Sequence, residues 1–285
     1  DNALKPFIKE NITAIEQEMY QLVEKIHAPA HLKESMLYSL KAGGKRIRPL
    51  FVAAVCEMYE QPLAPSYVVG SAVEMIHTYS LIHDDLPALD NDDLRRFKPT
   101  NHKVFGEDIA ILAGDGLLTF AFDLVSNTDL EMKYFKALSD NAGINGMILG
   151  QEIDILNQVE TLKDLEKAYA LKTGRLFSAS FELATYLANK DQYLETVKKL
   201  ASLLGIAFQV QDDLLEVTKD TQEIGKSNES DKIREIATIT SFMTLDAAQA
   251  YLEKTFDQIY ALIETLDLEG DALLSFINEL RRRSI

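Results

Sequence analysis

The chain has 285 residues, 47% hydrophobic and 26% charged, which is enough for one large globular domain with a substantial core. Its formal net charge of -16 disfavours nonspecific nucleic-acid binding, which needs a dominant basic face, so we expect no nucleic-acid partner. The sequence contains no uninterrupted apolar run of about 18 residues and starts without the apolar core of a signal peptide, so we expect no membrane span. Cys56 is the single cysteine, which excludes an internal disulfide and favours a reducing cytoplasm.

The periodicity predicts helices from the start of the chain. Apolar residues recur at spacings of three and four at Ile8, Ile12, Ile15, Met19, Leu22 and Ile26. All seven prolines lie in the first hundred residues, so the remainder can form long unbroken helices. We therefore predict an all-α protein, a helical bundle around a central cavity, and one domain over residues 1–285. Segment ends are expected near 28–29, 61–65, 86–106, 126–130, 156–162, 190–191, 218–235 and 267–271.

Two carboxylate clusters follow apolar segments that are predicted to be buried helices. The first follows Glu74 to Leu81 and contains Asp84, Asp85 and Asp90. The second follows Leu203 to Val210 and contains Asp212, Asp213 and Glu216. Burying unpaired anions is costly, so carboxylates at the ends of buried helices indicate a bound cation or basic partners. Hard oxygen ligands in two sets suit Mg²⁺ that holds a phosphate group.

Three basic segments could bind that phosphate. The turn Gly43 to Pro49 carries three cations after two glycines, Arg95 and Arg96 follow the first carboxylate cluster, and Lys172 to Arg175 adds further cations beside a glycine. Taken alone, each has a simpler interpretation: a solvated surface turn, arginines that neutralise neighbouring aspartates, and a solvent-facing lysine. The polar stretch Lys219 to Glu235 is expected to be a mobile loop that acts as a lid.

Together these motifs resemble one family over nearly the whole chain. The segment from Glu74 to Leu118, with Lys98-Pro99-Thr100, is similar to the short-chain trans-isoprenyl diphosphate synthases, especially bacterial farnesyl diphosphate synthase (geranyltranstransferase). The likeness extends to the basic turn and to further motifs downstream: Gly150-Gln151 with Asp154, Lys172-Thr173-Gly174, Phe208 to Asp213, and Gly225-Lys226. It implies an isoprenoid synthase fold and a homodimer, with the two acidic motifs facing each other across a deep cavity.

The resemblance also implies the chemistry. An allylic diphosphate, dimethylallyl or geranyl, would ionise with the help of Mg²⁺ (three ions), and isopentenyl diphosphate would attack the carbocation before a proton is lost. Isopentenyl diphosphate would be bound by Lys45, Arg48, His77 and Arg96. The allylic diphosphate would be bound by Arg95, Lys172 and Lys226. Lys172, Thr173 and Gln209 would be the catalytic residues, and the metal ligands would be Asp84, Asp85, Asp90, Asp212, Asp213 and Glu216.

Tyr79 is predicted to set the product length. It lies five residues before Asp84, about 7.5 Å along a helix, so its ring can block a growing tail. Pro87 and Ala88 widen the spacing between Asp85 and Asp90, as in the bacterial farnesyl-type enzymes. Both features indicate a C10 to C15 product, most consistent with farnesyl diphosphate, and leave the exact length open.

The sequence departs from the family pattern at three positions. Phe97 replaces the usual glycine after the two arginines, Glu216 replaces an aspartate, and Ile236 stands where an allylic-diphosphate lysine is usual. These departures keep open an alternative, a weakly active or noncatalytic prenyl-diphosphate-binding subunit of a heteromeric synthase. The retained aspartates favour the enzyme. A terpene cyclase is disfavoured because the basic turn for a second diphosphate is present.

Overall fold

The structure is a computed structural model that describes residues 4–126, 131–222, 236–267 and 270–283. Contacts between Cα atoms divide the chain into two compact units: Asp1–Leu138 with Leu183–Asn189, and Ser139–Glu182 with Lys190–Ile285. We call them unit 1 and unit 2 and describe each by itself. Within the described ranges the only β-structure is one hairpin of two-residue strands, so the all-α prediction is confirmed. The single domain over 1–285 stays a prediction.

Unit 1 is built on α4, which carries the first carboxylate cluster at its end. The helices here are α1 (Leu4–Glu24), α2 (Ala30–Lys41), α3 (Ile47–Met58), α4 (Leu63–Asp84), α5 (Asn101–Phe105) and α6 (Glu107–Ser126); α7 (Met132–Ala142) begins in this unit. α4 packs against α3 and α6. A Cβ at Gly70 would lie 2.9 Å from the Cα of Pro49, so glycine permits the close approach of α4 to the start of α3. This packing fixes α4 beside the basic turn that precedes α3.

A short hairpin follows the first carboxylate cluster. Its strands are β1 (Leu94–Arg95) and β2 (Lys98–Pro99), paired antiparallel. The two turn residues, Arg96 and Phe97, have φ values of 50° and 65°. Positive φ at both positions is the geometry of a type I′ turn, which asparagine and glycine usually occupy. An Arg-Phe pair gives no turn signal, so the sequence pattern did not indicate this hairpin.

Unit 2 is built on α11 (Leu194–Gln222). Its other elements are α8 (Met147–Ile155), α9 (Leu162–Tyr169), a π-helical turn (Ala170–Gly174), α12 (Leu245–Glu264) and α13 (Ala272–Arg282); α10 (Arg175–Leu187) belongs partly to each unit. α11 packs against α12 and the π-helical turn. The second carboxylate cluster was expected at the end of its helix, and this is wrong. Residues 211–222 contain no glycine or proline, so α11 continues through the cluster.

Other predicted boundaries can be compared directly. α4 begins inside 61–65, α9 begins at the end of 156–162, and α6 ends at Ser126. Most of the predicted lid, residues 223–235 with Lys226, lies outside the described residues, so the lid stays a prediction. Among the described helices, α6 is long and apolar enough to cross a membrane by length and composition alone. Its most apolar stretch of 18 residues has a mean hydropathy of 1.7, and 39% of that stretch is buried.

Candidate active site

The first carboxylate cluster is organised by the loop that follows α4. Asp84 is the last residue of the helix, and the loop folds back so that the backbone N–H of Asp90 donates to the backbone oxygen of Asp84 at 2.8 Å. The backbone N–H of Asp92 likewise donates to the backbone oxygen of Asp85 at 3.1 Å. The loop therefore brings Asp84 and Asp90, six positions apart in sequence, to the same end of α4.

Asp85 is engaged by Arg95. The carboxylate is buried, and its two oxygens accept from Nη2 and Nε of Arg95 at 2.7 and 2.9 Å. Burial lowers the pKa of Arg95, but the hydrogen bonds and charge of Asp85 outweigh this and raise it. This bidentate contact fixes the orientation of the Arg95 guanidinium, so Asp85 serves as the partner of Arg95 in this structure.

The basic turn brings backbone and cations together. Gly43 and Gly44 have φ values of 103° and 134°, which favour glycine. Nη1 of Arg96 donates to the backbone oxygen of Gly43. A Cβ at Gly44 would lie 3.1 Å from both terminal nitrogens of Arg96, so this glycine makes room for the guanidinium. Lys45 lies on the same turn and is exposed.

His77 faces the arginine cluster from α4. It lines a cavity of about 30 Å³ together with Asp85, Arg95 and Arg96. Burial, and then the positive charges of nearby arginines with Arg48 first, hold the pKa of His77 well below its usual range. Burial also lowers the pKa of Arg48 to about 10. The side chains around this cavity therefore combine guanidinium groups with a neutral imidazole, donors suited to the oxygen atoms of a phosphate group; the cavity itself has room for roughly two water molecules.

The second carboxylate cluster is split between two faces of α11. Asp212 and Glu216 are one turn apart on the same face. Asp213 points elsewhere: it is buried and accepts from the hydroxyl of Tyr169 and from the backbone N–H of Ile239, the latter at 3.0 Å. Asp213 thus ties α11 to the end of α9 and to the segment after residue 235.

Asp212 contacts the C-terminal segment. Nη2 of Arg283 lies 2.6 Å from Oδ1 of Asp212, and Nε donates to the side chain of Gln211 at 2.5 Å. The guanidinium also stacks on the ring of Phe208, with 3.7 Å between its central carbon and the ring centroid. Arg283 therefore balances the charge of Asp212 in this structure.

Lys172 and Thr173 lie on the π-helical turn, where three glycines allow close packing. A Cβ at Gly150 would lie 2.8 Å from the backbone nitrogen of Lys172, and a Cβ at Gly205 would lie 2.4 Å from the Cα of Gly174. The ammonium of Lys172 donates to Oδ2 of Asp154. Extra-wide turns of this kind occur often at functional sites.

Gln209 on α11 contacts Thr173, another predicted site residue of unit 2. Nε2 of Gln209 donates to Oγ1 of Thr173 at 2.8 Å, and Thr173 is buried. This contact joins α11 to the π-helical turn. Because the hydroxyl accepts from the amide, it fixes the orientation of the Gln209 side chain.

Tyr79 is packed as a buried side chain on α4, one turn before the first cluster. It is 7% exposed, and its ring meets the ring of His83 edge-on at 5.4 Å. Burial, and then the charge of Asp84, raise the pKa of Tyr79, so it remains a neutral, bulky group.

The carboxylates suit a magnesium site that is completed by a ligand. Among the described residues, no group of three histidine, cysteine, aspartate or glutamate side chains is placed to hold a metal alone. Mg²⁺ normally keeps several waters and binds one or two carboxylates together with substrate phosphates. Asp84 with Asp90, and Asp212 with Glu216, provide such pairs of hard oxygen donors.

Two of the departures from the family pattern, Phe97 and Ile236, lie at exposed positions. Phe97 has positive φ, which explains why glycine suits this place, and its side chain is fully exposed. Arg95 and Arg96 nevertheless keep their contacts with Asp85 and Gly43. Ile236 is 40% exposed.

Sequence reasoning missed several residues that support the site. Glu74, Tyr169 and Arg283 contact predicted site residues or their neighbours. Glu74 could have been suspected, because a carboxylate inside an apolar helix segment one turn before a histidine needs a partner. Tyr169 and Arg283 carried no local signal.

Comparisons with known proteins identify the family of the chain. Residues 29–269 match the family described as polyprenyl synthetase. The chain is 40% identical to farnesyl diphosphate synthase of Bacillus subtilis (strain 168), over 99% of each chain. Its fold is similar to that of an FPP/GFPP synthase from Zymomonas mobilis, with a TM-score of 0.84 and 32% identity over 95% of this chain and 96% of that one. A geranyltransferase from Helicobacter pylori, complexed with magnesium and isoprenyl diphosphate, has a TM-score of 0.78 and 29% identity over 96% of each chain. The chain has the isoprenoid synthase fold and belongs to the polyprenyl synthetase family.

Proposed function

We propose that the protein is a trans-prenyltransferase that condenses isopentenyl diphosphate with dimethylallyl or geranyl diphosphate to give a C10 to C15 product, farnesyl diphosphate above all. The observation that carries this proposal is the cavity of unit 1. There His77, Arg95 and Arg96 lie together with Asp85, which directly follows the end of α4. The full-length similarity to a bacterial farnesyl diphosphate synthase supports the same conclusion.

Isopentenyl diphosphate would bind at the basic turn. Arg48, His77 and Arg96 are close enough for the charges of the arginines to lower the pKa of the histidine. A neutral imidazole can donate one hydrogen bond to a phosphate oxygen, and the guanidinium groups can each donate two. Lys45, exposed on the same turn, would add a further cation.

Asp84 and Asp90, and in unit 2 Asp212 and Glu216, would hold Mg²⁺ through carboxylate oxygens. We propose three ions, as the family resemblance implies. Bound Mg²⁺ supplies charge neutralisation that makes the allylic diphosphate a better leaving group. Asp85 and Asp213 would support these ligands indirectly, because Asp85 orients Arg95 and Asp213 binds Tyr169 and Ile239.

The allylic diphosphate would be bound by Arg95, Lys172 and Lys226, of which Lys226 lies outside the described residues. The carbon–oxygen bond to this diphosphate breaks, and the electron pair leaves with the diphosphate. The double bond of isopentenyl diphosphate then attacks the carbocation, and transfer of a proton to an oxygen atom of the released diphosphate restores a double bond. Oxygen atoms of Thr173 and Gln209 would stabilise the cation, and the hydrogen bond between these side chains orients them.

Tyr79 would limit the growing chain. Its packed position leaves the ring little freedom to move aside for a longer tail. A product no longer than C15 is the outcome that this position favours.

We also propose a cytoplasmic homodimer that α6 helps to form. Ile111 and Leu112 on this helix are 44% and 52% exposed, although the helix is strongly apolar. Adjacent exposed apolar side chains on a strongly apolar helix are a suitable surface for contact with another protein, and we propose a second copy of this chain as the partner. Burial of these side chains in a dimer interface would account for the apolar character of α6 without a membrane span.

Paired variants test the assigned roles. Asp84→Asn and Asp90→Asn should abolish condensation by reducing the affinity for Mg²⁺, while the affinity for isopentenyl diphosphate without metal stays as in the wild type. Calorimetric titration and a product assay measure the two properties separately. Condensation at the wild-type rate by either variant would contradict the metal assignment.

A further inference from the structure

Glu74 is a buried carboxylate in the cavity proposed for isopentenyl diphosphate. It lies on α4 one turn before His77, lines the same cavity and is 4% exposed. Oε1 lies 3.6 Å from Nη1 of Arg46. Within the described residues, Oε2 is enclosed and accepts no hydrogen bond. A buried carboxylate with an unused acceptor is costly, so it needs a compensating interaction.

Arg46 does not depend on Glu74 alone. Its guanidinium donates to Glu16 at 3.3 Å, to the hydroxyl of Tyr20 at 3.1 Å and to the backbone oxygen of Leu40 at 2.5 Å. Residues of α1 and α2 therefore supply hydrogen-bond acceptors for the buried guanidinium. Holding Arg46 in place is therefore an incomplete explanation for Glu74.

The charge of Glu74 also acts on two arginines of the proposed diphosphate site. Burial lowers the pKa of Arg48 to about 10, and Glu74 opposes that shift. Burial lowers the pKa of Arg96 as well, and Glu74 again opposes the shift. Arg95 has a different partner, Asp85. Glu74, which lines the cavity with Arg96, thus offsets part of the positive charge of Arg48 and Arg96.

We propose that Glu74 is an internal counter-anion of the isopentenyl diphosphate site, which balances its arginines when the site is empty and weakens their hold on a bound diphosphate. This inference rests on the proposed function. Without an anion nearby, clustered guanidinium charges repel one another in a poorly solvated site. A bound diphosphate would add its own negative charge, so Glu74 then lowers the affinity.

The consequence for turnover follows from the reaction. The allylic diphosphate leaves, so the product retains the diphosphate of isopentenyl diphosphate. A site that binds this group too strongly would release the product slowly. Glu74 would therefore be a positioning and balancing residue that favours product release at some loss of substrate affinity.

The test compares the wild type with Glu74→Gln, which keeps the shape and removes the charge. Without Mg²⁺ and without ligand, the variant should have a lower thermal unfolding midpoint than the wild type. Addition of isopentenyl diphosphate or inorganic pyrophosphate should raise this midpoint more in the variant than in the wild type. Its dissociation constant for isopentenyl diphosphate should be on the order of tenfold lower. In the full reaction, kcat and the KM for isopentenyl diphosphate should fall together.

Two controls separate charge from packing. Glu74→Asp keeps the charge and should bind isopentenyl diphosphate nearly as the wild type does. Glu16→Gln removes a different carboxylate of Arg46 and should lower the thermal midpoint without tightening ligand binding. If Glu74→Gln does not fold, the double variant Glu74→Gln, Arg96→Gln should restore folding by removing one charge of each sign.

The outcomes distinguish the inference from the function beneath it. Equal or weaker binding of isopentenyl diphosphate by Glu74→Gln, with a wild type that binds, overturns the counter-anion role alone. If Glu74→Gln does not fold and the double variant does not fold either, the counter-anion role is likewise overturned. A wild type that binds neither ligand overturns the proposed site and the inference with it.

Discussion

Both carboxylate oxygens of Asp85 accept hydrogen bonds from the guanidinium of Arg95, at 2.7 and 2.9 Å. The second aspartate of the first cluster therefore orients a proposed ligand of the allylic diphosphate, whereas Asp84 and Asp90 remain the proposed metal ligands. The two neighbouring aspartates have different roles, and different variants should reveal them.

Asp85→Asn removes the charge and one of the two acceptors that fix Arg95. We expect the KM for the allylic diphosphate to rise at least about tenfold and the free energy of unfolding to fall by about 1.5 to 3 kcal/mol. Steady-state kinetics and urea denaturation measure these changes. Asp93→Asn is the control, because its exposed pair with Lys103 should contribute less than about 1 kcal/mol. Equal effects of the two substitutions would contradict the role of Asp85.

Phe97→Gly should stabilise the protein. The φ of 65° is unfavourable for a residue with a Cβ, and the fully exposed side chain gains no burial. We expect the free energy of unfolding to rise by about 1 kcal/mol. Phe97→Ala is the matched control, because it removes the ring and keeps the Cβ. If glycine is no more stabilising than alanine, backbone strain at this position is not the cause.

His77 should make stability depend on pH. Its pKa in the folded protein is well below the ordinary value of 6.5, because burial and nearby arginines disfavour the charged form. As the pH falls below about 6.5, the unfolded chain takes up a proton that the folded protein does not, so stability decreases. His77→Gln should reduce this slope between about pH 7 and pH 5, measured by urea denaturation. An unchanged slope would show that His77 does not titrate on unfolding in this range.

Tyr79→Ala should lengthen the product. Removal of the buried ring opens space along α4 before the first cluster, and products longer than C15 should accumulate. Chromatography of the dephosphorylated products measures their length. Tyr134→Ala is the control: it removes another buried tyrosine, 4% exposed, and should reduce stability without changing the product. An unchanged product from Tyr79→Ala would place the limit elsewhere.

The sequence predicted those features that local patterns determine. Apolar spacing and the absence of proline after Pro99 indicated the helices, and α11 runs unbroken for 29 residues. The double glycine at Gly43 and Gly44 indicated a turn, and both residues have positive φ. The assignments of individual site residues came from the family resemblance and stay predictions.

Contacts between distant residues were not predictable in this way. Arg283 meets Asp212 although they are 71 positions apart, and Arg96 reaches Gly43 across 53 positions. Periodicity places a side chain on a face of its own helix and does not identify its partner on another element. For the same reason, the motif Asp212-Asp213 gave no indication that Asp213 would bind Tyr169.

Product formation by the purified protein is the most direct measurement of the central proposal. The reaction contains Mg²⁺, isopentenyl diphosphate and either dimethylallyl or geranyl diphosphate, and the products are resolved by chain length. We predict C15 diphosphate as the main product from both allylic substrates, with activity lost when the metal is chelated. Binding of isopentenyl diphosphate without any condensation product would contradict the enzyme and indicate a noncatalytic subunit.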